Sequence, residues 1–196
     1  MKIFGIGLSR TGTKSLTMAL NQLGLKVAHY PSDPTTLQEL MAANYNFSIL
    51  KEWDGITDIT VATYYPQLDR LFPNSKFILT VRDKDSWLKG IEKHWMGKPV
   101  FDSSGAKETK MRLRRLLRLA VYGTYTFNAE RLAYIYDRHY QNVLEYFQDR
   151  PESLLVLNVC AGEGWEKLCP FLNRPTLEEP FPAMYKKSIL TQRLSA

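Results

Sequence analysis

Short apolar runs alternate along this chain with longer segments whose apolar residues repeat at helical spacing. The first such segment places its apolar residues at i, i+3, i+4 and i+7, namely Leu16, Ala19, Leu20 and Leu23. This spacing gives a helix one apolar face. The apolar runs are continuous rather than alternating, as is typical of parallel strands that are buried on both faces. They predict strands at residues 2–7, 25–30, 54–58, 76–81 and 153–159.

The segments between and after these runs predict helices. They cover residues 13–23, 35–43, 66–72, 85–95, 107–122, 128–148 and 164–172. Because the predicted helices alternate with the strands, the pattern indicates a three-layer α/β fold with a mostly parallel sheet flanked by helices. We expect a single domain across residues 1–196, with a helical insertion at about 97–150.

The composition is that of an ordinary globular protein. The chain has 196 residues, of which 44% are hydrophobic and 23% are charged, so it is long enough to bury a sizeable core. Its apolar runs are too short for a transmembrane helix. The N-terminal run is shorter than a signal-peptide core and is interrupted by Ser9 and Arg10, so a cytoplasmic protein is expected. Cys160 and Cys169 form no CxxC pair and give no metal or disulfide signal.

The charge is positive and unevenly spread. The net charge is +6, which suits nucleic acid, an anionic cofactor or an anionic membrane surface. The predicted helix 107–122 is rich in basic residues and carries Arg114 and Arg118 on one side. It could form an acceptor lid, a membrane-surface helix or a solvated face, and the solvated face is the default. No aromatic stacking platform accompanies the cations, so nucleic acid is not expected.

The turn after the first strand combines glycines, hydroxyls and cations. It reads Gly7-Leu8-Ser9-Arg10-Thr11-Gly12-Thr13-Lys14-Ser15. Glycines allow a tight turn that points N–H groups inward, and the start of the next helix adds free N–H donors and a positive dipole end. The loop is not a Walker A motif, because Thr13 separates Gly12 from Lys14. We therefore predict an anion site of a different kind here.

A second cationic position follows the strand at 76–81, where the chain continues with Arg82 and Asp83. Ligands of doubly wound sheets bind at the carboxyl ends of the strands, so Arg82 should point towards the glycine loop. A magnesium-dependent NTPase would usually have an acidic metal ligand at such a position. The arginine suggests instead a second anionic group, bound without metal. The structural alternative is a helix-start ion pair of Arg82 with Asp83 or Asp85.

Three segments, in this order, resemble sulfotransferases. The glycine loop is similar to their 5′-phosphosulfate loop, and Thr80-Val81-Arg82-Asp83 with Trp87 is similar to their 3′-phosphate segment. The stretch 164–172, followed by Pro180-Phe181-Pro182, resembles the C-terminal part of the family. The resemblance covers about residues 3–95 and 130–185, and the nearest subgroup is the small sulfotransferase-like proteins. It implies a fold like that of P-loop nucleoside-triphosphate hydrolases.

The resemblance also implies a donor, 3′-phosphoadenosine 5′-phosphosulfate (PAPS), which leaves as 3′-phosphoadenosine 5′-phosphate (PAP), and no metal. The donor-binding residues carried over or expected beside the motif are Ser9, Arg10, Thr11, Gly12, Thr13, Lys14, Ser15, Arg82 and Ser86. Many members have a serine where this chain has Gly90, and Ser86 or Lys89 would replace its contact with the 3′-phosphate. No glycine-rich basic loop is evident near the C-terminus, where Lys186, Lys187 and Arg193 are weak substitutes.

Sulfuryl transfer to a hydroxyl or amine needs cations for the transition state and a base for the acceptor proton. Arg10 and Lys14 suit the first role. Asp58 and His29 are the candidates for the base, and Asp58 is favoured modestly because the similar subgroup has an aspartate in this neighbourhood. Either residue could instead be a cap or a satisfied polar core residue. Trp87 could stack on adenine or fill the core, and core packing is the commoner role.

Two alternatives to a sulfotransferase stay open. One is a P-loop small-molecule kinase that uses ATP and Mg²⁺, with Asp58 as the metal ligand. The other is a nucleotide-binding module without turnover. The expected partners are a small-molecule or lipid-like acceptor and, in a homodimer, a second copy of the chain. Neither nucleic acid nor stable membrane insertion is expected.

Overall fold

The structure, a computed structural model, describes residues 1–98, 100–101 and 108–182. In this part of the chain five short parallel strands form a sheet. They are β1 (Ile3–Gly5), β2 (Val27–His29), β3 (Gly55–Thr57), β4 (Lys76–Thr80) and β5 (Leu154–Leu157). Their order across the sheet is β2-β3-β1-β4-β5, so β1 is central. All five predicted strands are confirmed, although each is shorter than its apolar run.

The predicted helices are also confirmed. They are α1 (Thr13–Gln22), α2 (Pro34–Met41), α3 (Tyr65–Leu71), α4 (Lys84–Met96), α5 (Glu108–Tyr122), α6 (Ala129–Tyr146) and α7 (Trp165–Phe171). The sequence pattern missed three short 3₁₀ turns, at Ser48–Lys51, Pro151–Ser153 and Val159–Ala161. The basic residues Lys186, Lys187 and Arg193, named above as weak substitutes for a basic loop, lie outside the described residues.

The sheet is covered on both faces, because successive side chains of a strand point to opposite sides. Ile3 and Ile78 pack in a cluster with α1 and α7. Phe4 and Phe77 pack in a larger cluster on the other face, with α2 to α6. All four side chains are at most 1% exposed. The expected three-layer α/β architecture is therefore confirmed.

The strand order places the ends of β1 and β4 side by side. Gly5 of β1 pairs with Ile78 of β4 on one side and with Thr57 of β3 on the other. From β1 the chain runs through α1 to one edge of the sheet, and from β4 it runs towards β5 at the other edge. Such a switch point leaves a crevice beyond the strand ends, where α/β proteins bind ligands. None of the described helices is long and apolar enough to cross a membrane.

Candidate functional site

The loop between β1 and α1 is held tightly against the end of β4. A Cβ added at Gly7 would lie 2.7 Å from the carbonyl oxygen of Thr80 and would also collide with its hydroxyl, so only glycine fits. The Thr11 hydroxyl donates to the carbonyl of Leu8 at 2.7 Å and lies 2.7 Å from Oγ1 of Thr80. Gly12 has a left-handed backbone (φ 106°) immediately before α1. These contacts fix the path of the loop.

Asp58, which follows β3, joins the loop to β2. Its Oδ1 accepts hydrogen bonds from the Ser9 hydroxyl at 2.6 Å and from the Ile59 N–H at 2.7 Å. Its Oδ2 accepts one from the Thr13 hydroxyl at 2.6 Å and lies 3.2 Å from Nε2 of His29. Four donors thus converge on one carboxylate, which has about four lone-pair sites.

The electrostatic state of Asp58 follows from these contacts. Burial alone would raise the pKa of this carboxyl, since the residue is only 5% exposed. The hydrogen bond and charge of His29, with the Ser9 and Thr13 hydroxyls, outweigh burial and lower the pKa to about 2. Asp58 is therefore a firmly ionised carboxylate whose acceptor positions are already used.

Arg82 stands at the carboxyl end of β4 and is oriented by its neighbours. Its Nε and Nη2 donate to the Ser86 hydroxyl at 3.1 and 2.6 Å, and its Nη1 lies 3.4 Å from the carbonyl oxygen of Arg10. The Tyr136 hydroxyl accepts from the Arg82 N–H at 3.0 Å and also donates to the Arg82 carbonyl. Arg10 itself has a left-handed backbone (φ 73°), an unusual conformation of the kind often found at functional sites.

The helix-start ion pair considered for Arg82 is not what the structure has. Asp83 instead accepts a hydrogen bond from the Ser86 N–H at 2.9 Å and caps α4. Among the described residues, no carboxylate lies within ion-pair distance of the Arg82 guanidinium. That guanidinium is therefore available to an anionic ligand.

A cavity of about 550 Å³ opens in front of the loop, a size that suits a small-molecule site. The described residues that line it include six cations and one acid, Asp58. The cations are Arg10, Lys14, Arg82, Lys98, Arg114 and Arg118. Such an excess of positive charge, focused in a cleft, attracts anionic ligands.

The structure brings most of the predicted site residues to this cavity. Those that line it are Ser9, Arg10, Gly12, Thr13, Lys14, Ser15, His29, Asp58 and Arg82. Thr11 and Ser86 lie behind them, where Thr11 holds the loop and Ser86 holds Arg82. Gly90 lies against Arg82, because a Cβ there would be 3.0 Å from its Nη1. Lys89 is exposed and is not among the lining residues.

The cavity also has lining residues that the sequence analysis did not propose for the site. They are Tyr30, Ile59, His94, Trp95, Lys98 and Cys160. The helical spacing could have found one of them, because His94 follows Ser86 and Gly90 at intervals of four residues and so lies on the same side of α4. Burial and the charge of Lys98 lower the pKa of His94 to about 4, so this imidazole is neutral at pH 7.

Two residues with possible functional chemistry belong to the core instead. Trp87 is fully buried, and its indole N–H donates to the Ser9 carbonyl at 2.8 Å, so it packs rather than stacks on adenine. His139 is buried with Nε2 2.8 Å from the Ile6 carbonyl. Tyr122, fully buried on α5, accepts a hydrogen bond from the Ser9 N–H at 3.2 Å. The floor of the site is thus built by packed aromatic side chains.

Comparison with protein families identifies the chain. The family model described as a sulfotransferase domain matches residues 2–189. The chain belongs to the sulfotransferase family. Its sheet, its glycine loop and its flanking helices are consistent with the P-loop-like fold of that family.

This sulfotransferase-family chain is also similar to a curated fungal protein, "Ava biosynthesis cluster protein M" of Aspergillus versicolor. The two are 26% identical over 212 residues, which covers 93% of this chain and 80% of the fungal protein. In the described part of the chain, no group of three or more His, Cys, Asp or Glu side chains is arranged to hold a metal ion. The family supports a sulfotransferase-like transferase function.

Proposed function

We propose that this protein transfers a sulfuryl group from PAPS to a hydroxyl or amine of an acceptor, and releases PAP. One observation carries the proposal. The cations Arg10 and Lys14 on the glycine loop and Arg82 beyond β4 line the same cavity, at the adjacent ends of β1 and β4. A donor with two separate anionic groups matches this division of charge.

In this proposal the glycine loop holds the 5′-phosphosulfate. The first N–H groups of α1 have no carbonyl acceptor within the helix, and Arg10 and Lys14 add positive charge beside them. The hydroxyls of Ser9 and Thr13 already donate to Asp58, so they act mainly by fixing the loop. Arg82, oriented by Ser86, holds the 3′-phosphate.

The transfer itself is an in-line displacement. The acceptor oxygen or nitrogen forms a bond to sulfur while the bond between sulfur and the bridging 5′-phosphate oxygen breaks. The departing electron pair stays on the phosphate of PAP. Arg10, Lys14 and the loop N–H groups stabilise the negative charge that develops on the equatorial and leaving oxygens.

We further propose that His29 takes the acceptor proton and that Asp58 orients it. Asp58 has a pKa of about 2 and accepts from four donors, so it is a weak base with little room for a substrate proton. The His29 side chain is 31% exposed and lines the cavity. When its Nε2–H donates to Asp58, the neutral ring keeps a lone pair on Nδ1.

The same contacts bear on the kinase alternative. A kinase of this kind would need Asp58 as a magnesium ligand, yet both of its oxygens are engaged by protein donors.

A thermal-shift comparison of PAP with ATP and Mg²⁺ tests the proposal. At a hundredfold excess over Kd, PAP should stabilise the protein by about 2.7 kcal/mol, a rise in Tm of about 5–11 °C. A rise in Tm with ATP and Mg²⁺, with no rise with PAP, would overturn the proposal.

A further inference from the structure

The backbone of Arg82 lies just beyond the sheet and is held there by one hydroxyl group. β4 ends at Thr80, and the Val81 N–H still donates to the Leu157 carbonyl of β5 at 3.0 Å. At the next residue, the Tyr136 hydroxyl takes over from the sheet. It accepts from the Arg82 N–H at 3.0 Å and also donates to the Arg82 carbonyl. One side chain of α6 thus satisfies both backbone polar groups of this arginine.

The Tyr136 hydroxyl is suited to this double role. Burial raises the pKa of Tyr136, so the hydroxyl is protonated at pH 7. A protonated hydroxyl can donate one hydrogen bond and accept another at the same time, as it does here. Bonds to the N–H and to the carbonyl of one residue restrain its backbone on both sides of the Cα atom.

The side chain of Arg82 is held separately, through the Ser86 hydroxyl, which accepts from its Nε and Nη2. The guanidinium lies at the end of a long side chain, so a small rotation of the backbone would move it by a large distance. A planar guanidinium recognises a phosphate only in a defined orientation. The backbone bonds to Tyr136 therefore help to decide where the guanidinium points.

Tyr136 also contacts the glycine loop, through Trp87. The centres of the two rings are 4.8 Å apart, and the buried Trp87 donates its indole N–H to the Ser9 carbonyl at 2.8 Å. The next residue of α6, Asp137, pairs with Lys84 at the start of α4 at 2.8 Å. The same turn of α6 is thus connected to Arg82, to the glycine loop and to α4.

We propose that Tyr136 is a positioning residue that sets the affinity of Arg82 for the 3′-phosphate of the donor. This inference rests on the proposed function, in which the glycine loop holds the 5′ group and Arg82 holds the 3′-phosphate. Tyr136 is not among the described residues that line the cavity, so it acts through Arg82 rather than on the donor. It keeps the guanidinium oriented before the donor binds, which lowers the cost of ordering it.

The test compares PAP with adenosine 5′-monophosphate, which lacks the 3′-phosphate, by titration calorimetry. Tyr136→Phe removes the hydroxyl and keeps a ring against Trp87. The Kd for PAP should rise about threefold to tenfold, as expected for the loss of one hydrogen bond, and the Kd for adenosine 5′-monophosphate should change less than about twofold. A merely structural role would weaken both ligands alike.

Tyr146→Phe is the matched control. Tyr146 lies on the same helix, its hydroxyl donates to Asp69 at 2.9 Å, and it is not among the described lining residues. This variant also loses one hydroxyl hydrogen bond, yet both Kd values should stay within about twofold of the wild-type values. Urea denaturation checks that both variants are folded.

A double-mutant cycle tests whether Tyr136 acts through Arg82. In the Arg82→Ala background, Tyr136→Phe should leave the ratio of the two Kd values unchanged. The proposal is overturned if the wild-type protein prefers PAP and Tyr136→Phe keeps that preference, if both ligands weaken alike, or if the effect persists without Arg82. The proposed function survives each of these results. If the wild-type protein binds PAP no better than adenosine 5′-monophosphate, the proposed function itself fails and this inference fails with it.

Discussion

The cavity has a strand-end half, lined by Ser9, Asp58 and Arg82, and a helical half, lined by Lys98 and Arg118. The two halves position their charges by different means. At the strand ends, side chains hold one another through short hydrogen bonds, with Asp58 bound to Ser9 and Thr13 at 2.6 Å and Arg82 bound to Ser86 at 2.6 Å. On the helical side, Arg118 is held by backbone carbonyls and a Trp95 ring, and Lys98 reaches the cavity without an ion-pair partner among the described residues.

The difference matters for chemistry. Preorganised donors at fixed positions are what a transition state requires, because they stabilise developing charge without having to reorganise. A field from several cations recognises a charge but tolerates different shapes around it. We infer that the strand-end half carries out the transfer.

The largest expected effect tests whether the strand-end half depends on close backbone packing. Gly7→Ala places a methyl group 2.7 Å from the Thr80 carbonyl oxygen. We expect it to lower the free energy of unfolding by about 3 kcal/mol or more, measured by urea denaturation. Gly97→Ala is the control, because a Cβ added there would lie 3.9 Å from the Lys93 carbonyl oxygen, which is ordinary van der Waals contact. This substitution should change the free energy of unfolding by less than about 0.5 kcal/mol. Equal effects of the two substitutions would mean that the loop is not tightly packed.

The next effect separates the two histidines, one from each half. His29→Gln keeps a donor for Asp58 but has no basic nitrogen, so we expect kcat to fall about 100-fold or more. His94→Gln, on the helical side, should change kcat less than about fivefold, because His94 has no assigned proton-transfer role. Single-turnover sulfuryl transfer measures both, and PAP affinity checks that binding survives. A larger loss in His94→Gln would move the base to the helical half.

A smaller effect concerns the charge of Asp58. Its pKa is lowered from 3.8 to about 2, so the stability that it contributes is fully present above about pH 4–5 and is lost as the pH falls towards 2. The shift corresponds to about 2 kcal/mol. Urea denaturation between pH 6 and pH 2.5 should show a steeper loss for the wild-type protein than for Asp58→Asn. Parallel curves would mean that the carboxylate network contributes no pH-dependent stability.

Much of the fold and the strand-end half could be predicted because their signals are local. The glycine loop is a contiguous motif, and Arg82 directly follows a strong strand. The sequence also left open an ion pair of Arg82 with Asp83 or Asp85. The structure does not have it, and Asp83 caps α4 instead. The lengths of the strands were also overestimated. Apolar residues such as Ile6 lie in the buried loop after the last residue of the strand, so the apolar run is longer than the strand itself.

The rest of the site depends on contacts between distant segments. Ser9, Thr13 and His29 meet at Asp58 only because β1, β2 and β3 lie side by side, and no spacing along the chain encodes that meeting. Lys98 and Arg118 likewise line the cavity only because of the way in which α4 and α5 pack. The pattern predicted the helices but left a solvated face as the default for α5.

The most direct test of the account asks whether Arg82 recognises the 3′-phosphate. Titration calorimetry would measure PAP and adenosine 5′-monophosphate, which lacks that phosphate, on the wild-type protein and on Arg82→Ala. We predict that the wild-type protein binds PAP about tenfold to a hundredfold more tightly than adenosine 5′-monophosphate. Arg82→Ala should bind the two ligands within about threefold of each other. The comparison of two ligands on two proteins forms a thermodynamic cycle that isolates the charge-assisted contact between Arg82 and the 3′-phosphate. An unchanged preference in Arg82→Ala would contradict the assignment of the donor to these two strand ends.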